Sequence, residues 1–157
     1  MIDDSDTKAY ESYEKQIVKG IIMNFETIME RYLQEAEEDF NFSKADLEDK
    51  LRSIPNLHSK WLRHFYRQSH KLIIKEKELA VIWREKLNFY LFHYEYEIKH
   101  TQVKFYIDSD DEYSKIFYQV NCQRKIVDML DGILKKTIQL SFDMNNLIKL
   151  KELKAGK

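Results

Sequence analysis

The sequence predicts an all-α protein made of few, long helices with coiled-coil-like packing. Three observations carry this. Turn-forming residues are scarce, with three Gly and one Pro in 157 residues, which leaves little material for loops. Residues 58–90 contain neither of them. Apolar side chains recur at helical steps over two long stretches, 61–90 and 116–148, and sustained 3- and 4-residue spacing is the mark of an amphipathic helix.

Taken in order, residues 1–8 are polar and acidic and read as disordered. From about Ala9 to Asp39, Tyr13, Ile17, Ile21, Phe25, Ile28 and Leu33 trace one helical stripe. The last turn, Gln34 to Asp39, is strongly acidic. Carboxylates at a helix C-terminus oppose the macrodipole, so this end is expected to fray or to meet a basic partner. Phe40-Asn41-Phe42 is a break. Ser43 can cap a short helix reaching about Ser53, with Asp46 as reciprocal partner in a capping box. Pro55 is expected to end that helix, and Asn56 or Ser59 to start the next.

The next helix is the organising element. Trp61, Phe65, Leu72, Leu79, Trp83, Leu87 and Tyr90 keep to one side of it. Arg63, Arg67, Lys71 and Lys75 follow at steps of four and form a ridge along another side. Lys60, Lys77, Arg84 and Lys86 extend the charge, so residues 60–87 hold eight Lys or Arg against three Glu. Residues 89–98 are ambiguous between helix and strand. Val103 to Ile107 reads as a short strand, Asp108 to Asp111 as a loop, and Ser109 or Asp110 as an N-cap. A last helix covers about 111–152, with a seam of Ile116, Val120, Val127, Leu130, Leu134, Thr137, Ser141, Met144 and Ile148. Gly132 lies within that helix at a cost of about 1 kcal/mol relative to Ala, and reads as permitting a close helix crossing.

Length fits one domain, 1–157, in which 1–22 is acidic and 58–157 holds the basic helix and the C-terminal seam. Net charge is only −1, but it is segregated: residues 1–49 hold 14 acids against five bases, and residues 50–104 hold 12 bases against five acids. Such segregation creates a polyanion-binding surface without net positive charge. The acidic arm reads as a partner surface, or as a lid competing with DNA for the basic strip. A single Cys122 excludes an intrachain disulfide and fits a reducing cytoplasm. The acidic start lacks an apolar segment and no 18-residue apolar run exists, so an intracellular protein without a membrane span is expected.

Catalytic chemistry finds no motif: there is no Walker-type phosphate loop, GxSxG, HExxH or CxxC. His58, His64, His70, His93 and His100 are spaced by six or more residues, not by the three or four that bring two ligands together on a helix. Asp108 to Glu112 lacks the central Gly and later Glu of a calcium loop. Neither a catalytic site, a metal nor a cofactor is expected. The basic strip has two readings, a solvated face bridged to the acidic arm or a phosphate-binding surface. Trp61, Phe65, Tyr66, Trp83 and Tyr90 are interleaved with the charges. Most read as core, while Tyr66, between Phe65 and Arg67, is the best candidate for base stacking. So many apolar stripes on so few helices favour self-association, with Val127, Leu130, Leu134, Met144 and Ile148 as the oligomerisation seam.

From His58-Ser59-Lys60-Trp61-Leu62 through Ala80 to Tyr90 the sequence resembles the phage UvsY recombination mediator family. Where that family carries Lys-x-Arg-Leu, this chain reads Arg84-Glu85-Lys86-Leu87, with the two cations exchanged. Asp128 to Leu134, Phe142, Leu147 and Ala155-Gly156-Lys157 also fall in place. The resemblance covers about 58–90 and 104–157, more weakly 30–57. About 20 extra residues precede the family's usual start, and the aromatic stretch 89–106 replaces a polar, Gly-containing loop.

The resemblance implies a non-enzymatic bacteriophage factor acting in the host cytoplasm. Its implied partners are single-stranded DNA, a RecA-like recombinase (UvsX) and single-strand-binding protein. The implied assembly is a hexamer- or heptamer-like ring. The implied function is loading of that recombinase onto covered DNA in homologous recombination and recombination-dependent replication and repair. It also implies DNA contact by Arg84 and Lys86; the charge ridge itself nominates Lys60, Arg63, Arg67, Lys71 and Lys75. The contrasting reading is a structural α-helical scaffold or adaptor without DNA binding. A helix-turn-helix regulator would need a tight turn that 58–90 lacks.

Overall fold

A computed structural model describes the backbone of residues 4–41 and 47–156, and the side chains of 16, 19–41 and 48–156. The described residues form helices and no strand: α1 (Asp4–Asp39), α2 (Leu47–Phe92), α3 (Val103–Asp108) and α4 (Asp111–Lys154). The all-α class is as the sequence predicts. Residues 1–3 of the expected disordered start, and Ser43 and Asp46 of the expected capping box, lie outside the described residues.

Three local expectations are corrected. First, α1 begins at Asp4, not Ala9. Second, Pro55 does not end a helix, and neither Asn56 nor Ser59 begins one, because α2 runs through all three. A proline in a helix interior removes one hydrogen bond and crowds the carbonyl four residues back, at a cost of about 3 kcal/mol. The apolar positions on either side, Ile54 and Trp61, are both buried, and that packing offsets the local penalty. Third, Val103–Ile107 is helical. A strand would put Val103, Phe105 and Ile107 on one face; instead Val103 and Ile107 are buried and Phe105 is 73% exposed, as an i, i+4 pair on a helix requires.

The chain divides into two compact units, residues 1–28 with 70–124 and residues 29–69 with 125–157. In the first unit Ile98, Val103 and Ile107 form a core covered by Trp83, Leu87, Tyr90 and Leu91 of α2 and by Tyr113 of α4. Here α2 and α4 run antiparallel: Lys75 Nζ donates to Gln119 Oε1 at 2.8 Å, Glu76 pairs with Arg124 at 2.7 Å, and the Trp83 and Tyr113 rings lie 5.7 Å apart. Asp110 caps α4, its Oδ1 accepting the amides of Glu112 and Tyr113 at 3.1 and 3.2 Å.

In the second unit Tyr32 and Ala36 of α1, Ile54 and Trp61 of α2, and Ile126, Leu130, Ile133, Leu134 and Met144 of α4 are buried. The buried polar residues Gln68 and Thr137 find partners inside it, while the buried Ser69 hydroxyl has none among the described residues. Gln68 Nε2 donates to the Tyr32 hydroxyl at 2.8 Å. The Thr137 hydroxyl donates to the Leu134 carbonyl at 2.7 Å and lies 2.9 Å from His58 Nδ1.

The predicted seams of α2 and α4 are buried or half-buried at every position. The α1 stripe is displaced at its end: Tyr32 and Ala36 enter the core while Leu33 is 48% exposed. Tyr13 and Ile17 of that stripe have side chains outside the described residues. Gly132 marks no close crossing, since a Cβ built there meets nothing within 4 Å.

Candidate nucleic-acid interface

The cations of α2 fall into two kinds. Lys60 and Lys86 are each held by two carboxylates. In the second unit, Lys60 Nζ lies 2.8 Å from Glu35 and 2.7 Å from Asp39, and 5.7 Å from the centre of the Trp61 ring. The same Asp39 oxygen accepts the Trp61 indole N–H at 3.0 Å, and His64 Nε2 lies 3.4 Å from Glu35. The acidic end of α1 therefore does meet a basic partner. Burial opposes ionisation of Glu35, but hydrogen bonding and charge from Lys60, with smaller help from His64, outweigh it and hold the carboxyl below its ordinary value. Burial likewise opposes the charge on Lys60, and Asp39 and Glu35 overcome it to raise the ammonium pKa.

In the first unit, Lys86 Nζ lies 3.0 Å from Asp110 and 2.9 Å from Glu112. Asp110 Oδ2 also accepts the Tyr90 hydroxyl at 3.1 Å, so one carboxylate caps α4, binds a lysine and positions a ring. Burial alone would raise the Asp110 pKa, yet Lys86 and the Tyr113 amide hold it low. Burial would lower that of Lys86, yet Glu112 and Asp110 raise it.

The other cations are open. In the second unit Arg63 and Arg67 are exposed, and Arg63 Nε reaches only its own helix, the Ser59 carbonyl at 3.4 Å. In the first unit Lys71, Lys77 and Arg84 are exposed. None of these five has a carboxylate within ion-pair distance among the described residues. The ridge from Arg63 to Lys75 is not straight along the helix. Each step of four overshoots a full turn by about 40°, so it drifts towards the core, and Lys75 ends half-buried on Gln119. Seven- and eleven-residue steps nearly close on themselves, which brings Tyr66, Lys77 and Arg84 to the opposite flank of the exposed face of α2. Tyr66 is 63% exposed with Phe65 beside it, ring centroids 5.8 Å apart, whereas Trp61 is fully buried. Trp83 and Tyr90 are half-buried.

Of the nominated oligomerisation seam, Leu130, Leu134 and Met144 are buried within the chain, and Val127 and Ile148 are half-buried. The exposed apolar side chains of that helix are others: Ile138, Phe142, Leu147, Leu150 and Leu153. The described residues contain no cluster of three potential metal ligands, and no helix among them is long and apolar enough to cross a membrane.

The exposed cations of α2 share its solvent side with Ile74, Val81, Glu78 and Glu85. The family described as "Recombination, repair and ssDNA binding protein UvsY" matches residues 35–157. The chain belongs to the UvsY family. The match begins within the last turns of α1, at Glu35, one of the two carboxylates on Lys60. It includes every nominated cation of α2 and all of α3 and α4. UvsY-family membership brings a role in recombination and repair with binding of single-stranded DNA. No curated protein and no solved structure matches the chain.

Sequence reasoning missed which lysines are already engaged. Asp110 was legible as a cap, but its grip on Lys86, 24 positions away, has no local signal. Two further exposed lysines, Lys99 and Lys104, also have no carboxylate in ion-pair distance among the described residues. Lys99 follows the ambiguous stretch 89–98, and Lys104 lies in the stretch 103–107 that reads as a strand.

Proposed function

We propose that this protein is a recombination mediator. It grips single-stranded DNA through the open cations of α2, principally Arg67, Lys71 and Arg84, with Arg63 and Lys77 beside them and Tyr66 available for stacking. It then helps a RecA-like recombinase, UvsX, replace single-strand-binding protein on that DNA. The observation that carries this is the set of exposed cations, without a carboxylate in ion-pair distance among the described residues, inside the segment matched by the UvsY family. Lys60, Lys75 and Lys86 belong to the same surface but are engaged with protein acceptors. They reach a phosphate only by exchanging those partners.

Each subunit offers few phosphate contacts, so self-association into a ring strengthens the grip. Linked sites raise avidity by about 10²–10⁴ without new kinds of contact. The exposed apolar side chains of α4, with the free parts of Val127 and Ile148, supply surface for it. The acidic residues of α1 already compete for Lys60, which supports the arm acting as a competitor of DNA.

The test is recombinase ATP hydrolysis on DNA pre-coated with single-strand-binding protein, together with light scattering of the mediator with and without oligo-dT. Stimulation of hydrolysis and a multi-subunit mass support the proposal. A particle that ignores oligo-dT in dilute buffer returns the chain to the scaffold reading.

A further inference from the structure

The segment joining α2 to α4 carries a cluster of rings that the cationic face does not explain. Phe89, Tyr90, Tyr94, Tyr96 and Tyr106 form one connected network in the first unit. Ring centroids lie 5.2 Å apart for Phe89–Tyr90, 5.3 Å for Tyr90–Tyr94, 6.0 Å for Tyr94–Tyr96 and 6.0 Å for Tyr94–Tyr106. The inner end is fixed, because the Tyr90 hydroxyl donates to Asp110, which also holds Lys86 and caps α4. The outer end is open: Tyr94 is 37%, Tyr106 42% and Tyr96 71% exposed.

The chemistry of what is exposed is selective. Across 89–107 the large apolar side chains left to solvent are all aromatic, Phe89, Phe92, Tyr94, Tyr96, Phe105 and Tyr106, while the aliphatic ones, Leu91, Ile98, Val103 and Ile107, are buried or half-buried. An ordinary apolar docking face exposes Leu, Ile and Val, as the distal part of α4 does at Ile138, Leu147, Leu150 and Leu153. A surface of rings alone, three of them carrying hydroxyls that tolerate water, suits flat aromatic ligands that are themselves wet at their edges. Phosphates have cations at hand in the open Lys99 and Lys104. Glu95 and Glu97 alternate with the tyrosines and are also exposed, so net charge contributes little and the rings must supply the attraction.

We propose that Tyr94, Tyr96 and Tyr106 form a base-stacking platform for unpaired nucleotides, a second contact beyond the cationic face of α2. This rests on the reading of the protein as a single-strand binder. Stacking on such a platform depends on bases and not on phosphate neutralisation, so the two contacts separate experimentally.

The experiment compares the full-length protein binding to oligo-dT and to an abasic oligonucleotide of the same length, over a range of salt. The wild type should prefer oligo-dT. Tyr96→Ala, at a position too exposed to threaten folding, should weaken oligo-dT binding by about 5-fold or more. Abasic binding and the salt slope should stay unchanged, and Tyr96→Trp should restore the preference. Equal wild-type affinity for the two oligonucleotides, or a preference unmoved by Tyr96→Ala, overturns the platform while leaving the cationic face standing. A drop in subunit number by light scattering on Tyr96→Ala, without loss of base preference, reassigns the rings to contact between copies and also overturns it. Binding to neither oligonucleotide overturns both proposals.

Discussion

The two anchored ends of the α2 strip and its open middle carry the same residue types and do different things. Lys60 and Lys86 each touch two carboxylates, while Arg67, Lys71 and Arg84 touch none among the described residues. At the ends, positive charge is spent on the protein: on the acidic C-terminus of α1 at Lys60, and on the capping aspartate of α4 at Lys86. At Arg67, Lys71 and Arg84 it is left to solvent. A helical wheel counts all five alike, but only partners brought from other helices tell them apart.

The strongest way to break this contrast is at the Lys60 end. Trp61 is fully buried and donates to the aspartate that holds Lys60. Trp61→Ala should destabilise the protein by about 3–5 kcal/mol, measured by urea denaturation. A small effect would mean that the anchor is not structural.

At the other end, Asp110→Ala removes the α4 cap, the Tyr90 acceptor and one partner of Lys86 together. Loss of the cap alone is worth about 1–2 kcal/mol, so a fall in thermal stability of at least that size is expected. In contrast, Arg67→Ala, Lys71→Ala and Arg84→Ala should each change stability by no more than about 0.5 kcal/mol.

Acid sharpens the same contrast. Glu35 and Asp110 have folded-state pKa values below their ordinary ones. Their contribution is therefore fully present above the ordinary carboxylate range and is lost as pH falls through the lowered values. Lys60 and Lys86 are raised, so theirs is present below the ordinary lysine value and lost only as pH rises past the raised ones. Both anchors should hold across neutral pH and weaken in acid. Glu35→Gln with Asp110→Asn should flatten the acid limb of stability against pH; a limb of unchanged depth would contradict the pairing.

The smallest expected change lies away from both regions. Gly132 sits in α4 with open space where a Cβ would go. Gly132→Ala should stabilise the protein by up to about 1 kcal/mol through helix propensity, read as a rise in melting temperature with DNA binding unaltered.

The helices were legible because periodicity survives any tertiary arrangement. The seam from Trp61 to Tyr90 and the seam from Ile116 to Ile148 both face inward as the spacing requires. Local punctuation was less dependable. Pro55 failed as a stop because burial on both sides of it outweighs one lost hydrogen bond, and Val103–Ile107 has strand-like composition but buries its i, i+4 pair. The site was half legible. Charge type and exposure follow from α2 alone, whereas the capture of Lys60 by α1 and of Lys86 by the start of α4 depends on contacts 21 to 26 residues apart in sequence.

The most direct test is the salt dependence of oligo-dT binding by a triple variant, Arg67→Ala with Lys71→Ala and Arg84→Ala, against wild type. Each phosphate contact on a single strand contributes about 0.7 to the log–log slope, so the triple variant should lose about 2 units of slope while folding normally. An unchanged slope in a folded triple variant would show that the open middle of α2 does not hold the phosphates.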